Sequence, residues 1–405
     1  MNMTSRKRRG LTLAACCGVH GLQDGLVATQ FVLLPILAQA FGLGYAQIGV
    51  VRAASAGAMM LFELPSGMLA ERLGERSLMV FGLLCAGLGY LLLAGAGGVV
   101  TITLCLFLVG LGAAFQHALS SAVISTAFRD GGRRTALGTY NSSGDLGKLA
   151  FTGLFSLCVG AGVAWQGVAA GFGVIAVLAA FAMLLVLTRL EVGGRPALVA
   201  GGGSLGLGGG WGIRDRTGFA ALVVIVSLDI GVQSGFLTFL AFLMTEKQVP
   251  VGLAAMAVVL TLAGGIGGKF GCGFLAERIG VRRALVVVQG LTAAGIMAVL
   301  AAPTLAAYAL LPLLGVVLQG SSSITYGLVG DLVSSERQSR GFALIYSVSG
   351  AAAVVGPIVF GLVGDGFGLA PAMLTMACAV VLPLPLCLLL QPLNPRIGPG
   401  VAGTG

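Results

Sequence analysis

A chain of 405 residues that is 57% hydrophobic and only 9% charged, with a mean hydropathy of +1.02, falls outside the range of soluble domains. Its formal charge of +9 is spread along the chain in short clusters and forms no single patch, which argues against a nucleic-acid partner. The composition is that of a multi-pass membrane protein, with the lipid bilayer as its first partner.

In chain order, the basic start MNMTSRKRRG leads into an apolar run that reaches about residue 42, too long for a signal peptide and without a clear cleavage site, so it reads as a retained first helix. Cutting at polar clusters and turn residues predicts spans at 11–41, 47–70, 78–98, 99–127, 136–161 and 163–188, then 218–245, 251–276, 284–303, 304–333, 342–365 and 369–391. Each approaches the roughly 20 residues needed to cross a hydrocarbon core. The expectation is all-α, with twelve transmembrane helices in two pseudo-symmetric bundles of six. The domains are 1–188 and 218–405, joined by a flexible Gly/Arg-rich connector at 189–217. Nineteen of the 23 Lys and Arg residues fall in the tails and alternate connections, which places both termini in the cytoplasm. The eight cysteines show no disulfide or metal spacing, and two histidines almost a hundred residues apart make no zinc site, so no metal and no cofactor is expected.

The halves repeat each other. GMLAERLGER at Gly67–Arg76 returns as GFLAERIGVRR at Gly273–Arg283, an offset of 206 that also pairs Tyr140 with Tyr346 and Gly144 with Gly350. Parallel halves of this kind place a substrate site between them, near the bilayer midplane. The doubled motif resembles the cytoplasmic 2/3 signature of the major facilitator superfamily of secondary transporters, over about residues 11–391. The resemblance implies that Glu71, Arg72 and Arg76, with Glu277, Arg278 and Arg282, hold the end of a neighbouring helix and latch one conformation. A narrower likeness is to the fosmidomycin-resistance-type exporters, through HGLQDG in helix 1, FQHA in helix 4 and RTALGTYNSSGDLGKLAFTGLF in helix 5. Asp145 and Lys148 replace that family's uncharged residues, so its drug specificity does not carry over.

Charges inside apolar spans cost about 2.5–3.5 kcal/mol each at mid-depth and call for a partner, a cavity or a titration. Asp24, with His20 one turn earlier, is either a proton carrier or a carboxylate permanently bonded to His20 or a neighbouring helix. Asp229, within one position of the repeat mate of Asp24, is a second cavity acid, a lock or a helix-end partner. Asp145 and Lys148 share a face of helix 5 and form a local ion pair; alternatively Asp145 meets Lys269 of helix 8 in the outward-facing state and leaves Lys148 free for an anionic substrate. Glu63, the repeat mate of Lys269, is a second gate or proton site, or a capped structural acid beside Pro65. His117 and Gln116 in helix 4, with Gln319 in helix 10, line the cavity or bond between helices. Arg52 is shallow enough to snorkel outward and is assigned no site.

These residues imply a transporter and not an enzyme. The reading is a monomer of the bacterial inner membrane that exports a small polar or anionic compound in exchange for protons. The alternatives are uptake of a small organic acid by proton symport, or a sensor or scaffold that keeps the fold without transporting.

Overall fold

A computed structural model of the chain describes residues 5–128, 133–194, 212–333 and 338–390. Within them the chain is helical: α1 (Ser5–Phe41), α2 (Tyr45–Leu73), α3 (Glu75–Leu93), α4 (Val99–Ala114), α5 (His117–Ala127), α6 (Arg133–Gly160) and α7 (Trp165–Arg189). The second half follows with α8 (Arg216–Glu246), α9 (Val251–Ile279), α10 (Val281–Ala301), α11 (Thr304–Leu332), α12 (Gln338–Phe367), α13 (Leu369–Val381) and a 3₁₀ turn at Leu384–Leu389. Ten spans are long and apolar enough to cross a membrane, with α4 and α5 counted together and α13 joined to its 3₁₀ turn. α2 and α6, which carry interior charges, are of similar length and lie outside those ten.

Two expected spans are broken. The fourth turns at Phe115 and Gln116, so that His117 opens α5 instead of continuing a single helix. The twelfth ends its α-helix before Pro383 and Pro385, where missing amide hydrogens favour the tighter 3₁₀ turn.

The duplication is visible in the packing. α1 lies on α6, α2 on α4 and α3 on α7; in the second half α8 lies on α12, α9 on α11 and α10 on α13. Gly110 lets α4 meet the backbone of Ser55 on α2, and Gly315 lets α11 meet the backbone of Thr261 on α9. Those two approaches are related by the 206-residue offset to within one position. Small residues at such crossings allow backbones to touch where lipid supplies no hydrophobic drive between helices.

The halves join through two helix pairs that exchange under the same pseudo-dyad, α2 with α12 and α6 with α9. Between α2 and α12 the contacts run from Met60 and Gly350 at mid-depth to Tyr45 and Gly361 near the face opposite the termini. There Asp365 accepts from the Tyr45 and Ala46 amides at 2.7 and 3.0 Å, capping the start of α2 from the other half. Tyr45 donates to Glu246 at 2.9 Å beside it, and Gly160 faces Gly252 across α6 and α9.

At the terminal face, among the described residues, the two motif arginines each bond within their own half. Arg76 donates to the Leu187 carbonyl at the end of α7 at 3.4 Å, and Arg282 donates to the Leu390 carbonyl just past the 3₁₀ turn. Of the connector read at 189–217, residues 195–211 lie outside the described set. Its near end is tied to the first half through Arg76 and Gly193, and its far end to the second through Arg214 and Leu332.

Gly147 packs directly against the Gly21 backbone and so sets the α1–α6 distance, whereas a methyl at Gly153 would meet only Val259, at 3.9 Å. Gly147→Ala is therefore expected to destabilise the purified protein by about 1–3 kcal/mol, and Gly153→Ala to leave its thermal midpoint unchanged. Equal midpoints for the two variants would show that this crossing carries no such constraint.

Candidate functional site

α1 and α6 build the centre of the first half. Tyr140, Gly144, Gly147 and Phe151 recur on α6 at helical spacing and face Gly21, His20, Asp24 and Gly25 on α1. A side chain at Gly144 would strike both His20 and Asp24, so the glycine is what lets these two polar groups reach α6.

Asp24 is 7% exposed and is surrounded by cations or potential cations. The Lys148 ammonium lies 3.1 Å from Oδ2, His117 Nε2 lies 3.4 Å from Oδ1, and His20 Nε2 lies 3.5 Å from Oδ2. His20 stacks on the Tyr140 ring with centroids 4.0 Å apart, and its Nδ1 meets the Tyr140 carbonyl at 2.8 Å. A carbonyl only accepts, so Nδ1 carries a proton, and in the neutral ring Nε2 presents a bare lone pair to Asp24. One further proton in that gap, carried by either group, converts a repulsive contact into a hydrogen bond between His20 and Asp24.

Lys148 also bonds Asp145 at 3.2 Å, and Asp145 receives Lys269 of α9 at 2.7 Å on each carboxylate oxygen. The result is an unbroken chain from Asp24 through Lys148 and Asp145 to Lys269, the one ion pair between the halves among the described residues. The two pairings weighed from the sequence therefore coexist. Lys148 is not left free by the Asp145–Lys269 contact: it is shared between two carboxylates. Nor does that contact need an open far face, since it forms while α2 and α12 are closed there.

The fold also corrects the argument from the separation of the two histidines. The break before α5 brings His117 to within 5.0 Å of His20, ring to ring, and His20, Asp24 and His117 could together hold a metal ion. Lys148 already supplies a positive charge to the same carboxylate.

Asp229 joins none of these bonds. It accepts from Gln289 at 3.1 Å and Ser321 at 2.7 Å, two neutral donors, and forms no ion pair among the described residues. Gln289 and Ser321 escaped the sequence reading because uncharged residues in apolar spans carry little signal of their own. Gln116 bonds Tyr140 and Ser120, and Gln319 bonds the Thr261 carbonyl, so both serve contacts between or within helices.

Glu63 is half-buried, and its carbonyl accepts from the Ser66 hydroxyl. Of the motif residues, Arg72 and Glu277 are exposed, Arg278 lies over the Phe274 ring, and the Glu71 side chain is outside the described residues. Arg52 departs most from expectation. It does not snorkel: it is 7% exposed, with its guanidinium carbon 4.6 Å above the Phe31 ring.

Two matched helical bundles around ionised side chains define a polytopic membrane transporter fold. The sequence profile of the Major Facilitator Superfamily matches residues 16–271 and 219–403, and the chain belongs to that family. It is similar to the uncharacterized MFS-type transporter YfnC of Bacillus subtilis (strain 168), 26% identical over 378 residues covering 90% of this chain and 88% of the relative. Among solved structures, a bacterial homolog of the human lysosomal transporter Spinster, in an inward-facing and occupied conformation, aligns with a TM-score of 0.79 at 16% identity, covering 94% of this chain and 96% of that one. The nucleoside transporter NupG aligns at 0.73 and 14% identity over 94% and 98% of the two chains. At these identities the likeness speaks for the fold.

Removing Lys148 while leaving both carboxylates is expected to cost about 3–5 kcal/mol, as for other broken buried pairs. Lys148→Met should lower the unfolding midpoint in detergent well below wild type, and Asp24→Asn added to it should recover much of the loss. Additive single effects would show that the two side chains are not coupled.

Proposed function

We propose that the chain is a proton-coupled secondary transporter that exports a small polar or anionic compound by alternating access, as a monomer in the bacterial inner membrane with both termini cytoplasmic. The observation that carries this reading is Asp24, buried at the α1–α6 crossing and facing Lys148, His20 and His117 within 3.5 Å. In lipid such a set is costly unless its charges do work. The proton at the His20–Asp24 gap is the one that moves.

Protonating Asp24 removes one of the two anions that hold Lys148. The ammonium then turns wholly to Asp145 and competes there with Lys269, which loosens the tie between halves. Proton uptake is in this way converted into freedom of the lobes to rock, and release restores the tie. Arg76 and Arg282, each holding the end of its own lobe's last span, keep the lobes rigid while they move. The remaining motif residues act with them by resemblance to the family. The fosmidomycin-resistance-type likeness supports the export direction. Its drug does not transfer, because Asp145 and Lys148 occupy the centre of the network.

In proteoliposomes carrying an imposed pH gradient, wild-type protein is expected to move protons when an exported compound is supplied, and Asp24→Asn to lose that flux by about a hundredfold or more. Candidate compounds come from a susceptibility and metabolite screen of cells overexpressing each form. Identical profiles and fluxes for the two forms would remove Asp24 from coupling.

A further inference from the structure

The buried charge that the network above leaves unused is Arg52. It stands on α2, whose neighbours are α1, α3, α4, α5, α8 and α12. Nε and Nη1 are buried and have no hydrogen-bond partner, and the flat face of the group rests on Phe31. Arginine does not lose its proton in proteins, so a full positive charge lies inside the membrane region with no ion-pair partner among the described residues.

Among the described residues, no acid on the helices packed against α2 is left to pair with it. Asp24 of α1 is held by Lys148, and Asp365 of α12 caps the first amides of α2. On α8, Asp229 accepts from Gln289 and Ser321, and Glu246 accepts from Tyr45. Glu75 of α3 stands at the terminal end of the bundle, beside Arg8 and Glu191. α4 and α5 contain no acid. Glu63, on α2 itself, is eleven residues from Arg52, about 16 Å along the axis.

The position also fits an interior site. Phe31 and Asp24 are seven residues apart on α1 and fall within about 20° of one another around it, so Arg52 rests on the same stripe of α1 that carries the charge network. It lies about 10 Å from Asp24 toward the far face. Asp24, Asp145, Lys148 and Lys269 balance one another in charge, and Arg52 adds one positive charge that nothing in that set offsets.

We propose that Arg52 is an anion-binding residue of the central site and that the transported compound carries a carboxylate or a phosphate monoester. This rests on the transport reading above and supplies its substrate class. The guanidinium offers parallel donors matched to two oxygens of such a group, with Phe31 fixing its plane from behind. Lys148 and Lys269, each with about a third of the side chain exposed, extend the positive lining toward the second half.

The test uses the purified full-length protein in nanodiscs, with thermal unfolding followed during titration with sodium benzoate, phenyl phosphate and uncharged benzamide. Wild type is expected to be stabilised by one or both anions and not by benzamide. Arg52→Gln should weaken the apparent anion affinity at least about tenfold, with Arg52→Lys intermediate because it keeps the charge and loses the fork. Without ligand, Arg52→Gln should unfold no earlier than wild type, since it removes an unpaired buried charge; an arginine needed only for structure would do the opposite. Anion stabilisation that is unchanged in Arg52→Gln, or no greater than that by benzamide, would overturn the proposal. Arg52-dependent anion binding without any proton flux would uphold it and count against the coupling reading alone.

Discussion

The structure depends on one constraint: a carboxylate cannot stand ionised between membrane helices unless its charge is answered within a few ångströms. Asp24 is answered by Lys148, Lys148 by Asp145, and Asp145 by Lys269. The link between Asp24 and Lys148 needs the axes of α1 and α6 closer than ordinary side chains permit. The glycines at 21, 25, 144 and 147 serve that end, bringing α1 and α6 into backbone contact so that short polar side chains can meet. Packing and electrostatics are therefore a single requirement here.

The two halves share a shape and divide the chemistry. The Ser55–Gly110 approach returns as Thr261–Gly315, and the motif arginines Arg76 and Arg282 each hold the end of their own half. The polar centres diverge. In the first half an acid sits among a lysine and two histidines; in the second, Asp229 is bonded to an amide and a hydroxyl. Duplication preserves the crossings that set the helix positions, whereas the side chains facing the interior are free to differ once the backbone frame is secure.

Much of this was legible in residue order. Apolar length located the spans, and the repeated Gly67–Arg76 motif located the halves. Charges within apolar spans picked out Asp24, Asp145, Lys148, Lys269 and Asp229, because few other residues carry such a cost in lipid. What escaped depends on relations between helices. Distance along the chain hid the meeting of His20 and His117, which needs the turn at Phe115 and Gln116. Depth alone made Arg52 a snorkelling residue, although the direction its side chain takes is set by the packing of α2 against α1 and α12. Asp365 drew no notice at a helix end, because its role is to cap a helix from the other half.

The proposed alternating access asks for two lobes rigid enough to move as bodies and joined loosely enough to part. The intra-lobe contacts meet the first demand through small-residue crossings repeated in both halves. At the seam, α2 and α12 are fastened at the far face by hydrogen bonds to a carboxylate, and α6 and α9 at mid-depth by the Asp145–Lys269 pair. Polar ties of this kind can be exchanged for water or for another partner when the seam opens, which close apolar interdigitation does not allow as readily. The seam thus combines close glycine contacts, Gly49 on Pro357 and Gly361 on Tyr45, with interactions whose strength responds to charge, and the residue that shares Asp145 with the other lobe, Lys148, is the same one that faces Asp24.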